Sequence, residues 1–233
     1  MNVIILAGGK GTRLKPYTVS IPKPLVPVGD HPILEIVIKR LKTQGFRDII
    51  LSVNHMSELI RSYFGSGKKL GVNIKYSLEA SPLGTAGPLA LVRNAGDNFI
   101  VMNGDLLTDL DFTRLVKYHK AFGQISTLVS YKKKVSVDLG TLELDRDRTV
   151  KKYVEKPVLE YNASAGIYVF NRKALSYIEK GRRMDLPGLI MRLLKEGETV
   201  KAYDHNGLWF DIGTPSDYEE AVNIFNKNKK LFL

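Results

Sequence analysis

Val3-Ile-Ile-Leu-Ala7 runs directly into Gly8-Gly-Lys-Gly-Thr-Arg-Leu14, and that junction decides the fold. Five apolar residues in a row leave no polar face for solvent. Such a run reads as a strand covered on both sides, as in parallel sheets. The glycines then end the strand and turn the backbone sharply.

The stretches that follow alternate in the same way. Ile33 to Leu41 has helical spacing, with Pro32 at the first turn and Gly45 past the end. Ile49–Val53, Ile74–Ser77 and Asn98–Met102 read as strands. Ser57–Phe64 and Thr85–Val92 read as the helices between them. Strand–helix alternation predicts a parallel sheet with helices on both faces. Sheets of this class hold ligands at the carboxyl ends of their strands, near the switch in strand order. With the common order 3-2-1-4, the first and fourth strands are neighbours. The glycine loop and Asp105, in Asn103-Gly104-Asp105, then lie side by side.

The second half is less regular. Phe112–Phe122 reads as a helix with Asp111 near its start. Ile125–Tyr131, Leu139–Leu144, Val150–Glu155 and Ser164–Phe170 read as strands, and Asp145–Arg148 as a hairpin turn. Leu186–Lys195 and Pro215–Asn226 read as helices around a short strand, Trp209–Ile212. The expected fold class is α/β: a Rossmann-like three-layer sandwich with a mixed, mostly parallel central sheet.

Composition narrows the function classes. A chain of 233 residues is long enough for one generous α/β domain. Hydrophobic residues make up 44% and charged residues 25%, which is ordinary for globular proteins. The absence of cysteine excludes disulfides and thiolate metal sites. No run approaches the roughly 20 apolar residues of a membrane helix, so a soluble cytoplasmic protein is expected. The net charge of +11 favours acidic partners. Lys132–Lys134 and Lys227–Lys230 lack interleaved aromatics, so nucleic-acid binding gains little support.

The glycine loop is a phosphate cradle of neither common kind. No Gly-x4-Gly-Lys-Ser/Thr run exists. Gly9-Lys-Gly11 lacks the third glycine of the dinucleotide fingerprint, and Pro16, Pro22, Pro24 and Pro27 follow where a helix should start. An NAD-dependent enzyme is disfavoured. What remains is a loop carrying Arg13, a donor fork matched to phosphate oxygens, and Lys23 held between two prolines. The four histidines are scattered and have no ligand spacing.

Leu6-Ala-Gly-Gly-Lys-Gly-Thr-Arg-Leu-Lys-Pro16 and Pro22-Lys-Pro-Leu-Val-Pro-Val28 closely resemble the signature of the sugar-nucleotide pyrophosphorylases, the sugar-phosphate nucleotidyltransferases. Further likeness runs through Glu79–Gly87, Asn103–Asp105, Val154–Pro157, Ala165–Tyr168 and Trp209–Thr214. The resemblance implies a single nucleotidyltransferase domain over 1–233, with a nucleotide-binding half (1–110) and a sugar-phosphate-binding half (111–233). It also implies no C-terminal β-helix domain. The implied reaction is attack by a sugar 1-phosphate oxygen on the α-phosphorus of a nucleoside triphosphate, with loss of pyrophosphate.

By that resemblance, Arg13 and Lys23 are catalytic. Leu6, Ala7, Gly8, Gly9, Gly11, Thr12, Glu79, Pro82, Gly84 and Thr85 bind the nucleotide. Gly140, Glu155, Lys156, Ser164 and Gly166 bind the sugar phosphate, and Asp105 with Asp211 holds Mg²⁺. Glu79 leans toward GTP, because a carboxylate accepts from both N1–H and N2–H₂ of guanine. The Pro82–Gly87 segment looks most like the mannose-1-phosphate guanylyltransferases, so mannose or heptose 1-phosphate is the expected acceptor. Alternatives are a UTP-using enzyme acting on a hexose or N-acetylmuramate phosphate, and a non-catalytic sugar-nucleotide-binding subunit. The expected partners are these small molecules, without nucleic acid or membrane, and a homodimer stays open.

Overall fold

A computed structural model describes residues 1–233. In chain order the elements are β1 (Val3–Leu6), β2 (Pro27–Val28), β3 (His31–Pro32), α1 (Ile33–Thr43), β4 (Asp48–Val53), α2 (Ser57–Phe64), β5 (Asn73–Leu78), β6 (Asn98–Asn103) and β7 (Leu106–Thr108). There follow α3 (Phe112–Phe122), β8 (Ser126–Ser136), β9 (Thr141–Leu144), β10 (Val150–Val154), β11 (Val158–Asn171), α4 (Leu186–Lys195), β12 (Val200–Asp204), β13 (Trp209–Asp211), α5 (Pro215–Lys227) and α6 (Lys229–Phe232).

The central sheet has seven strands in the order β12-β8-β11-β6-β1-β4-β5. The first four strands of the sequence reading are β1, β4, β5 and β6, and they stand 3-2-1-4 as expected. β1 pairs in parallel with β4 and with β6, Leu6 opposite both Ser52 and Asn103. β11 runs antiparallel to β6 and β8, and β12 runs parallel to β8, so the sheet is mixed.

β1 explains why the layers close. Val3, Ile4 and Ile5 have no exposed surface. Val3 and Ile5 face a core with Val37 and Leu41 of α1, Ile60 of α2 and Leu115 of α3. Ile4 faces the other way, against Leu89, Phe99 and Leu189 of α4. Each such side chain contributes about 1.5–3 kcal/mol of apolar burial. A third cluster joins Val26, Ile36, Ile212 and Phe225, seating α5 and α6 beside the loop that follows β1.

Several boundaries differ from the sequence reading. The segment 85–92 is not an α-helix; Gly87–Leu91 forms a 3-10 turn. The N–H groups of Ala86 and Gly87 donate to the Met184 carbonyl (2.8 and 3.0 Å), and Pro88 has no N–H to continue a ladder. β12 has a mixed Val-Lys-Ala-Tyr-Asp pattern, an edge strand without clean alternation. β7, only three residues long, also carried no pattern. β8 and β11 extend well past their readings, beyond the sheet core, to form an arm with β9 and β10.

His119 is buried under this sheet. Its ring nitrogens meet Thr127 Oγ1 (2.9 Å) and Asn98 Oδ1 (3.0 Å). Burial, helped by nearby Lys120, pushes its pKa down from 6.5 to about 4. With the folded pKa depressed, the contribution is complete above 6.5 and is lost as pH falls toward 4. Urea unfolding should therefore lose stability across that window. His119→Gln should lose less, the difference approaching about 3 kcal/mol. Parallel curves for the two proteins would contradict this.

Candidate active site

The strand order places three chain segments at the carboxyl ends of β1, β4 and β6. Ala7 N–H donates to Ser52 O (2.8 Å) and Gly104 N–H to Leu6 O (3.0 Å). A cleft of about 430 Å³ opens there. Its lining takes Leu6, Ala7, Gly8 and Gly9 from the first loop, Glu79, Pro82, Gly84 and Thr85 from the segment after β5, and Lys23 and Asp105. Gly11 and Thr12 lie just outside it.

Space is tight at one glycine and prohibitive at another. A Cβ on Gly8 would sit 3.2 Å from Asn54 N and from Glu79 Oε1. Gly84 has φ of +80°, and its Cβ would meet Met184 O at 2.5 Å and Asp185 Oδ1 at 2.6 Å. That contact belongs to a strap joining the 83–87 loop to residues 184–186. Thr85 N–H donates to Asp185 Oδ1 (3.1 Å), and Leu186 N–H donates to Thr85 Oγ1 (2.7 Å). The Thr85 hydroxyl thus serves the start of α4, while the residue also lines the cleft.

Glu79 is almost fully buried. Its Oε2 accepts from Leu83 N–H (3.0 Å) and its Oε1 from Ser52 Oγ (3.3 Å). Burial raises its pKa, and these two donors oppose the rise. Each carboxylate oxygen still has a second lone pair, so the group can accept further bonds.

Lys23 pairs with Asp105 through Oδ2, while Asp105 Oδ1 is buried with no partner. Asp211 reaches the same place by strand pairing. β13 lies antiparallel to β7 with Asp211 opposite Leu106, and Ile212 N–H donates to Asp105 O (3.1 Å). The Asp211 carboxyl is raised in pKa, first by burial and then by the Asp105 charge; Lys23 and Arg13 act in the opposite direction. Arg13 is exposed and lies along Gly213, outside the cleft lining. Two carboxylates, one of them with a buried orphan oxygen, and one lysine therefore meet at the end of β1.

The sugar-side residues fall into two groups. Gly166, at φ +69°, packs against Asn103 at the cleft end, and Ser164 Oγ lies 3.0 Å from Tyr168 Oη. Gly140, Glu155 and Lys156 sit on the projecting arm. None of these five lines the cleft. Tyr153 ties two of them: its ring covers Gly140 and its hydroxyl donates to Glu155 Oε2 (2.7 Å). Lys156 takes a left-handed φ of +45° just before Pro157.

Sequence reading missed Lys10, Ser52, Asn54, Asn103 and Arg183 in the lining. Lys10 stood inside the glycine loop and was legible. Arg183 was not, because only the Met184 strap brings it there. Tyr131 and Trp209, stacked at 4.1 Å beside Asp211, were likewise missed.

The profile of the nucleotidyl transferase family matches residues 2–228. The chain belongs to this family. Similar members include a UTP–glucose-1-phosphate uridylyltransferase from Synechocystis, 36% identical over 95% of this chain and 62% of that one. A mannose-1-phosphate guanylyltransferase catalytic subunit beta from Danio rerio is 37% identical over 97% of this chain and 64% of that one. The chain therefore spans a little under two thirds of the length of these curated family members. Among solved structures, HddC from Yersinia pseudotuberculosis complexed with GMP-PN superposes with a TM-score of 0.74 at 28% identity, covering 96% of this chain and 99% of that one. A putative glucose-1-phosphate thymidylyltransferase from Bacillus anthracis, in complex with a sucrose, gives 0.76 at 27%, covering 96% and 94%.

Gly84→Ala tests the strap. The added methyl meets a backbone carbonyl in a conformation unfavourable for alanine, so chemical denaturation should register a loss of about 1–3 kcal/mol. An unchanged midpoint would mean that the two loops are free to separate.

Proposed function

We propose that the chain transfers a nucleotidyl group from a nucleoside triphosphate, GTP first, to a sugar 1-phosphate, with mannose or heptose 1-phosphate as acceptor. The products are a nucleoside diphosphate sugar and pyrophosphate. One observation carries this reading: a glycine loop, a lysine and two crowded carboxylates from four separate segments converge at the end of one buried strand.

Both reactants are anions, so the protein must align them and offset spreading negative charge. The N–H groups of residues 8–12 would hold the triphosphate. Lys23, on leaving Asp105, would neutralise the α-phosphate under attack. Arg13 would meet the β and γ phosphates as they depart, and Lys156 the phosphate of the sugar. The strained backbone of Lys156 fits a side chain held for binding, since such conformations cost of order 1–3 kcal/mol and concentrate at sites. No side-chain nucleophile is required.

Asp105 and Asp211 would hold Mg²⁺. Their chemistry fits: both are hard oxygen donors, Asp105 Oδ1 is buried without a partner, and the Asp211 carboxyl is raised in pKa first by burial and then by the Asp105 charge. A pair of carboxylates completed by substrate phosphates is the usual arrangement for this ion. When bound, Mg²⁺ supplies positive charge to the phosphate oxygens.

Glu79 supports GTP, and the guanylyltransferase relatives and the neighbour with GMP-PN agree with it. UTP is the second reading, supported by the uridylyltransferase relative from Synechocystis. Pyrophosphate release should decide between them when the protein and Mg²⁺ are supplied with each common triphosphate and a panel of sugar 1-phosphates. GTP with mannose or heptose 1-phosphate should be fastest. Faster release with UTP would reverse the base assignment, and no release with any pair would refute the reaction.

Asp211→Asn separates function from folding. A carboxyl whose folded pKa is raised contributes stability below its unfolded pKa and loses it as pH rises through the folded value. At neutral pH the ionised group is therefore a burden in the metal-free protein. The variant should melt at the same temperature or higher while turnover falls on the order of 10²-fold or more. A lower melting temperature, or full activity, would contradict these roles.

A further inference from the structure

Residues 182–186 are fastened to the loop that follows Glu79. Met184 N–H donates to Leu83 O (2.9 Å), and the N–H groups of Ala86 and Gly87 donate to Met184 O. Asp185 Oδ1 and Leu186 N–H close the strap on Thr85. A Cβ on Gly87 would lie 2.8 Å from Arg182 O, so the backbone is closely packed on that side too. Arg183 is thus fixed through both of its chain neighbours. Its side chain is not. Arg182 pairs with Glu179 (3.0 Å), whereas the Arg183 side chain is exposed, meets no carboxylate of the chain and lines the cleft.

Leu83 decides which end of the cleft this cation serves. Its N–H donates to Glu79 Oε2 (3.0 Å), and its carbonyl accepts from Met184 N–H (2.9 Å). One loop residue therefore roots Glu79 and Arg183 at the same end. The phosphate loop has cations of its own in Lys10, Arg13 and Lys23, so Arg183, carried by a separate segment, is spare for another part of the ligand. The two side chains are chemical opposites. A carboxylate only accepts hydrogen bonds, and a guanidinium only donates them, through a planar fork. Guanine presents two adjacent donors, N1–H and N2–H₂, followed by two adjacent acceptors, O6 and N7. Uracil has one donor, N3–H, between two acceptors, and no counterpart of N7. An arginine fork on O6 and N7 is the commonest specific contact to a base.

We propose that Arg183 is a specificity-determining residue of the nucleotide site, donating to O6 and N7 of guanine while Glu79 accepts from N1–H and N2–H₂. The inference rests on the proposed use of GTP and names the group that completes the reading of its base.

Isothermal titration calorimetry with GTP, UTP and 7-deaza-GTP, in the presence of Mg²⁺ and without an acceptor, tests it. 7-Deaza-GTP keeps every group of GTP except N7, which becomes a C–H. The native chain should bind it more weakly than GTP. Arg183→Met should bind GTP about tenfold more weakly than the native chain does. Its affinity for UTP should fall much less, and it should no longer distinguish 7-deaza-GTP from GTP. Its melting temperature should be unchanged, because no contact within the chain is lost. A native chain that prefers UTP, or binds no triphosphate, would overturn the GTP reading and this inference with it. A native chain that prefers GTP but binds 7-deaza-GTP equally well, or a variant that loses GTP and UTP alike, would overturn this inference alone.

Discussion

Everything in this molecule is arranged around β1. A strand with apolar residues on both faces must be covered twice, and parallel neighbours on either side satisfy its backbone without exposing an edge. Those two demands place α1, α2 and α3 on one face and α4 on the other. They also fix where the chain turns polar. The carboxyl ends of β1, β4 and β6 finish together, with Ala7 N–H donating to Ser52 O and Gly104 N–H to Leu6 O. The cleft is what is left when three neighbouring strands stop and their loops diverge.

The polar chemistry of that cleft works against stability. Asp105 and Asp211 are brought together by β7 and β13, and only one of the four carboxylate oxygens meets Lys23. A buried oxygen without a partner and a carboxyl held above its ordinary pKa are unfavourable in an otherwise well-packed fold. The third apolar cluster, with Ile212 beside Val26 and Phe225, compensates by clamping the strand that carries Asp211 against the loop that carries Lys23. An arrangement so maintained is suited to a cation and phosphates, and the proposed transfer uses it.

Legibility of the sequence followed the strength of each local pattern. β1, β4 and β6 were marked by apolar runs and β5 by the mixed stretch Ile74–Ser77, and the observed order is the common 3-2-1-4 assumed for them. The glycine loop was legible because its residue types and its position at a strand end agree with phosphate chemistry, whereas Glu79 and Asp105 took their expected roles from the family resemblance. The 85–92 segment defeated helical periodicity, because its N–H groups are claimed by the Met184 carbonyl from a distant part of the chain. Arg183 was hidden for the same reason. Tyr153 was hidden because its link to Gly140 and Glu155 depends on how β10 crosses β9. β12, whose residues alternate poorly at the sheet edge, had no signal strong enough to separate it from a loop.

Trp209 offers a direct view of the centre. It is the only tryptophan, it stacks on Tyr131, and it lies two residues from Asp211. Its fluorescence can be followed while Mg²⁺ is titrated into the protein with GTP present. A metal and nucleotide site on Asp105 and Asp211 should give a saturable change that depends on both ligands and disappears in Asp211→Asn. A trace that stays flat, or that responds identically in the variant, would contradict a nucleotide and metal site built on these two carboxylates.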